Sequence, residues 1–502
     1  MLKVKLYQFK FGTIDELDKG EWTRRQHAIR NAFKHAWNGY VRDAWGYDEY
    51  HPISRSGTNL SNHGSIGYTI IDSLDTMIIM NLHEEYIQAR DWVANKLDFN
   101  IDADVSLFET TIRVLGGLLS AYHLSGNDTL YLTKAKDLGD RLFGAFDSPT
   151  YIPFASVNLA SQKGKPAHFA GGASSTSEAG TLQLEFKYLS YLTDDDKYWR
   201  TVEEVMFHID DLDKFDGLVP IFISPSTGDF MGQQITLGAR GDSYYEYLLK
   251  QYIQTARTEP FYRRMYAQAM QGVKNRLIAH SFPNKLLYVG ELAHHASTDI
   301  FPKMDHLVCF LGGTLALGAT GGVKIKDYSE LSVEAQEDLS IAKRLTETCV
   351  QMYFRTATGL APEITFFETN VNGVDDMIIK DRDAHNLLRP ETVESLFVLW
   401  RITDDNKYRE WGWRIFKAFE KYAKVDGGGY SALNDVTTIP PGRLDKMETF
   451  WLAETLKYLF LLFEDPDSQS LPLDKYVFNT EAHPLPIFKP SKKIRGNGWD
   501  RS

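Results

Sequence analysis

A carboxylate does acid–base work only where its surroundings fix its proton, and the stretch around Glu391 is arranged to do so. In Leu388-Arg389-Pro390-Glu391-Thr392-Val393-Glu394-Ser395, Pro390 fits the first position of a helix, where its missing N–H costs nothing. Glu391 then falls in the first turn, Glu394 shares its face three residues on, and Arg389 sits just outside. The run Leu396-Phe397-Val398-Leu399-Trp400 behind them is too apolar for a surface helix. Two carboxylates and a guanidinium therefore stand at the open end of a buried helix.

One first-turn acid is an ordinary cap favoured by the helix dipole. Here the arrangement recurs, with Asp75, Glu109, Glu178, Asp242, Asp305, Glu391 and Glu448 each opening an apolar segment. A dipole stabilises each carboxylate by about 0.3–1 kcal/mol, less than one pKa unit. Burial beside like charges raises a carboxyl pKa by several units, so repulsion wins unless protons or a cation enter. A cation would keep some acids ionised and leave others protonated as general acids. The oxygen-only donor set favours Ca²⁺ over Zn²⁺, with Mg²⁺ or Mn²⁺ as alternatives, and His27, His35 and His306 are scattered. Paired carboxylates in an aromatic-rich pocket suit glycoside hydrolysis. No phosphate-binding Gly-rich loop follows a strand, and no G-x-S-x-G elbow occurs.

The elements that must position these acids recur as well. Arg24 to Trp45 reads as a helix with Ile29, Phe33, Trp37 and Tyr40 along one side. After it, an apolar helix, a polar turn and a helix opening on tyrosine repeat. Thr193-Asp194-Asp195-Asp196-Lys197-Tyr198 and Thr403-Asp404-Asp405-Asn406-Lys407-Tyr408 are nearly the same words. About fourteen helices in seven hairpins make an all-α fold, which becomes an (αα)₇ toroid if the stack closes and an open solenoid if it does not. The acids then gather at one mouth. The helical core runs from about 22 to 465 of a single 1–502 domain, and a short C-terminal β-hairpin at about 470–490 is expected to plug one end.

Bulk properties exclude some classes. The 502 residues are 43% hydrophobic and 24% charged, an ordinary globular balance, and a net charge of −12 argues against nucleic acid. No stretch of about 20 apolar residues could span a bilayer, and Met1 to Lys10 does not read as a signal peptide. The two cysteines, Cys309 and Cys349, are compatible with one disulfide or with two separate thiols. Asn59-Leu60-Ser61 and Asn127-Asp128-Thr129 are the glycosylation sequons.

Seven ordered segments resemble glycoside hydrolase family 47, the class I α-1,2-mannosidases. They are Asp72-Ser-Leu-Asp75-Thr, Ser106-Leu-Phe-Glu109-Thr-Thr-Ile-Arg113, Gly238-Ala-Arg240-Gly-Asp242-Ser, Met304-Asp-His306-Leu, Leu388-Arg-Pro-Glu391-Thr-Val-Glu394-Ser, Lys446-Met-Glu448-Thr-Phe-Trp and Phe478-Asn-Thr480-Glu481-Ala-His-Pro. The resemblance implies a closed (αα)₇ barrel, an inverting mechanism and an essential Ca²⁺. It assigns Glu109 as general acid, Glu391 as base and Asp242 as a third catalytic carboxylate. Thr480 becomes the direct Ca²⁺ ligand, with Glu391, Glu394, Glu448 and Glu481 holding its waters. Arg113, Arg240, His306, Glu363 and Arg389 match substrate-pocket positions, and Cys309 with Cys349 the family's disulfide, which requires an oxidising compartment.

Arg240, two residues before Asp242, matches the endoplasmic reticulum type, where Golgi-type enzymes carry a smaller apolar residue. Arginine bridges several hydroxyls and so selects one branch. The resemblance thus implies trimming of Man9GlcNAc2 to one Man8 isomer in the lumen of the endoplasmic reticulum, with a type II anchor absent from this chain. The chain is expected to act as a monomer on high-mannose N-glycans of glycoproteins, with no nucleic-acid or membrane contact of its own. Three other readings compete: a mannosidase-like lectin that marks misfolded glycoproteins, a Golgi-type enzyme trimming to Man5, and a repeat scaffold with no active site.

Overall fold

The computed structural model describes residues 20–294, 297–466 and 468–490. Met1 to Lys10, and the two ends of the 1–502 domain, therefore lie outside the described residues. Among the described residues, fourteen of the helices alternate between an outer and an inner ring. The outer set is α1 (Gly20–Ala44), α3 (His83–Asn95), α5 (Thr129–Leu142), α7 (Lys197–Asp211), α9 (Pro260–Arg276), α11 (Val333–Phe354) and α13 (Lys407–Tyr422). The inner set is α2 (Leu74–Ile79), α4 (Gly116–Leu124), α6 (Gln183–Thr193), α8 (Asp242–Gln254), α10 (Phe310–Thr320), α12 (Glu391–Thr403) and α14 (Leu456–Leu462).

Each inner helix packs on the next, and the turn leading into α14 returns to α2, so the stack closes. The fold is an α/α barrel of seven hairpins, with α1 serving as the outer partner of α14. Burial explains which helix goes where. Every residue of α14 is buried, whereas α13 buries Tyr408, Gly412, Ile415, Phe416 and Phe419 along one stripe. The repeated Thr-Asp-Asp words form the same corner twice. Asp194 and Asp404 take left-handed backbone at the ends of α6 and α12, and Asp195 and Asp405 accept the Lys197 and Lys407 N–H groups at 3.2 and 3.0 Å.

The long connections are not all coil. They carry small antiparallel sheets, so the chain is helical with β-structure in its loops. One sheet, β1 (Ser174–Ser175), β2 (Phe222–Ile223) and β3 (Phe230–Met231), flanks the mouth. At the C-terminus β4 (Tyr476–Phe478) pairs with β5 (Pro484–Pro486), and the turn between them enters the barrel floor. Asn479, Glu481 and His483 of that turn are buried. Cys309 and Cys349 form a disulfide with Cα atoms 5.9 Å apart, tying the start of α10 to α11. Among the described residues no helix is long and apolar enough to cross a membrane.

Candidate active site

The acids are placed by helix starts. Ser106 and Ser175 accept the backbone N–H groups of Glu109 and Glu178 at 3.2 and 3.3 Å, side-chain caps that fix the opening turns. Glu391 is the first residue of α12, after Pro390 and a left-handed Leu388. Asp75 also stands in the first turn of its helix, α2, which a short helical turn at Tyr68–Asp72 precedes with a break at Ser73. There it meets Lys457 and His483 at 2.8 Å each.

Two inner segments widen into π-helix, Thr110–Leu115 before α4 and Trp451–Thr455 before α14. Such turns re-aim side chains and recur at functional sites. The first carries Arg113, which bonds Glu109 at 2.8 Å, Glu481 of the plug at 2.7 Å and Thr449 at 3.1 Å. It thus links the rim to the floor. The second carries Glu454, buried among the charges of Glu391, Arg113, Glu394 and Asp72.

Around Glu391 the partners are fixed. His306 Nδ1 lies 2.7 Å from Glu391 Oε2, and His306 Nε2 meets Tyr353 and Thr392 at 2.8 and 3.0 Å. Arg389 stands 3.9 Å from the other carboxylate oxygen and is itself held by Glu363 at 2.5 Å. Burial pushes the Glu391 carboxyl up, but the His306 hydrogen bond and the charges of His306 and Arg389 together hold it below the usual range. Asp242 is treated differently. Desolvation, with repulsion from Glu246, Glu391 and Asp305, pushes it up to about 7 despite the Ser243 N–H. The two carboxyls are thus shifted in opposite directions by their surroundings.

Below them the charge is unbalanced. Burial pushes Glu394 up to about 8, with Lys250 opposing and Glu246 and Glu391 adding to the rise. Burial also raises Glu454 and Glu481 well above the ordinary value, despite Arg113 beside both. The surplus of buried carboxylate is what a hard cation would relieve. Thr480, on the plug turn, donates its N–H to Tyr247 at 3.3 Å, and Tyr247 donates to the buried Glu185 at 2.8 Å. Among the described residues, no three His, Cys, Asp or Glu side chains converge closely enough to ligate an ion directly.

Glu448 lies nearer the rim, 3.3 Å from Lys446 and within the field of Arg389. Arg240 is exposed beside the mouth. Sequence reasoning overlooked Asp72, Glu185, Glu246 and Glu454. Glu246 sits one turn inside Asp242, a signal that i, i+4 spacing offered; Glu454 had no such signal, because a π-helical turn breaks the α period.

The profile of glycosyl hydrolase family 47 matches residues 32–487. The chain belongs to this family. It is 52% identical to mannosyl-oligosaccharide 1,2-alpha-mannosidase MNS3 of Arabidopsis thaliana, over 95% of this chain and 81% of that one. It is 50% identical to the human endoplasmic reticulum mannosyl-oligosaccharide 1,2-alpha-mannosidase, over 93% of this chain and 64% of the human protein's length. Among solved structures, the alpha-1,2-mannosidase of Trichoderma reesei superposes with a TM-score of 0.83 at 28% identity, covering 93% of this chain and 99% of that one. The family-47 protein is thus a glycoside hydrolase.

Proposed function

We propose that this family-47 chain is an inverting, Ca²⁺-dependent exo-α-1,2-mannosidase that trims Man9GlcNAc2 to one Man8 isomer in the endoplasmic reticulum. The names of its relatives supply the linkage and compartment, and Arg240 at the mouth supports the single-branch selectivity. The carrying observation is the opposed treatment of two carboxyls: Glu391 held ionised by His306 and Arg389, Asp242 pushed to about 7.

In this reading Glu391 takes the proton from the attacking water, with His306 orienting its carboxylate. Glu109, on the partly exposed rim and oriented by Arg113, donates to the departing oxygen. An inverting pair stands roughly 6.5–9.5 Å apart, leaving room for that water. Asp242 carries a proton close to neutrality and supports the acid side. Glu363 fixes Arg389 at the pocket wall.

The residues fit Ca²⁺. Thr480 offers hydroxyl and carbonyl oxygens at the floor, and Glu391, Glu394, Glu454 and Glu481 supply the surrounding negative charge; we assign Glu454 to this set in place of Glu448. When bound, the ion supplies electrostatic fixation of sugar hydroxyls and of the attacking water. Digestion of Man9GlcNAc2 with and without a chelator tests the reading. Loss of one mannose, abolished by chelation, is expected. Trimming to Man5 would move the chain to Golgi-type behaviour, and binding without cleavage to a lectin.

A further inference from the structure

The residue expected to select the branch is held in an unusual way. Arg240 has φ 74°, left-handed backbone that favours glycine. Its carbonyl accepts the N–H of Ser177, beside Glu178, at 3.1 Å. Gly241 after it packs so tightly that a Cβ there would lie 2.0 Å from the Thr236 carbonyl oxygen, which keeps the turn from relaxing. Strain of this kind persists only where surrounding structure over-determines it, and it concentrates at functional positions.

The side chain is held too, by two aromatic rings. The guanidinium carbon lies 5.1 Å from the ring centroid of Phe169 and 5.4 Å from that of Phe222. The two rings meet edge to face, with centroids 6.3 Å apart. Phe222 is anchored in β2, while Phe169, 47% exposed, reaches over from the loop before β1. Contact with aromatic rings holds a guanidinium without spending its N–H donors on a charged partner. Among the described residues Arg240 makes no ion pair, and the charge of Glu178 lies within its field.

We propose that Phe169 and Phe222 are positioning residues for branch selection, stacking Arg240 at the mouth so that its N–H edge is preset for glycan hydroxyls. This rests on the reading that Arg240 chooses the branch. An exposed arginine without the rings would have to order its side chain on binding, so removing one ring should act on substrate recognition and spare the chemical step.

The test compares Phe169→Leu, Phe169→Tyr, Phe222→Leu, Arg240→Leu and the double variant Phe169→Leu/Arg240→Leu on Man9GlcNAc2. KM, kcat and the Man8 isomers are measured. Phe169→Leu is expected to raise KM about two- to five-fold, leave kcat nearly unchanged and broaden the isomer mixture. Phe222→Leu should do the same, and Phe169→Tyr, which keeps the ring face, should restore the wild-type pattern. In the Arg240→Leu background the second change should add nothing. Unchanged KM and isomers in Phe169→Leu, or an equal effect without Arg240, would overturn the proposal while leaving the proposed activity intact. If Arg240→Leu itself leaves the isomer pattern unchanged, the branch reading falls and this proposal with it.

Discussion

Two groups of buried charge meet inside this barrel, and they are balanced differently. In the clasp below α2, Asp75 is paired with Lys457 and His483, and His483 Nε2 lies 3.1 Å from Asp72. Lys457 also donates to the Ala482 carbonyl at 2.8 Å, locking the plug. Burial pushes Asp75 up, but Lys457 and His483 bring it down to about 2. At the mouth and floor, Asp242, Glu394, Glu454 and Glu481 all move the other way. Matched charge fastens the structure; surplus charge of one sign marks the place where a ligand, a proton or a substrate must complete the account.

The sharpest way to separate the two groups is to remove one member of each. Glu391→Gln should lower kcat by about 10²–10⁴-fold, the usual worth of a general base, with little change in the thermal midpoint. Lys457→Met should leave kcat of the surviving folded protein close to normal, yet cost about 3–5 kcal/mol because the buried Asp75 loses its lysine and is left with His483 and Ser120. Thermal unfolding in chelator reads that cost. A Lys457→Met protein as stable as wild type would erase the distinction.

The floor makes a smaller, metal-linked prediction. Added Ca²⁺ at a hundredfold excess over Kd should stabilise the wild type by about 2.7 kcal/mol. Thr480→Ala and Glu454→Gln should lose most of that gain, whereas Glu448→Gln should keep it. If Glu448→Gln loses it and Glu454→Gln does not, the assignment of the floor reverts to Glu448.

The pH dependences run in opposite directions. Asp75 is depressed, so its contribution is present above about pH 4 and is lost as pH falls through about 2. Asp242 and Glu394 are raised, so in chelated protein their protonated forms favour folding below about pH 4. That contribution fades as pH rises through about 7 and 8. Asp242→Asn should flatten the upper limb and leave the lower one. The least effect is expected from Glu448→Gln on catalysis: a change of a few-fold in KM, since its ion pair with Lys446 is 3.3 Å long and partly exposed.

Much of this was readable before any coordinates. The acids at Asp75, Glu109, Glu178, Asp242 and Glu391 stand in helical first turns as their spacing implied, whereas Asp305 ends a strand and Glu448 precedes its helix; the repeated Thr-Asp-Asp words fold into matching corners. Closure of the ring was legible through the family resemblance but not from local pattern, because it depends on Trp451–Thr455 meeting α2 across most of the chain. Glu454 was missed because α periodicity cannot anticipate a π-helical turn. The clasp escaped for a third reason: its partners lie about 400 residues apart, as His483 and Asp75 do, and pairing at that range follows from the fold and not from local pattern.

The most direct test of the central claim is the anomer released in the first turnovers. Proton NMR of Man9GlcNAc2 digestion, recorded before mutarotation, should show β-mannose appearing first from Ca²⁺-loaded protein and none after chelation. First release of α-mannose would contradict the inverting assignment of Glu109 and Glu391, and undiminished release after chelation would contradict the reading of the floor as a cation site.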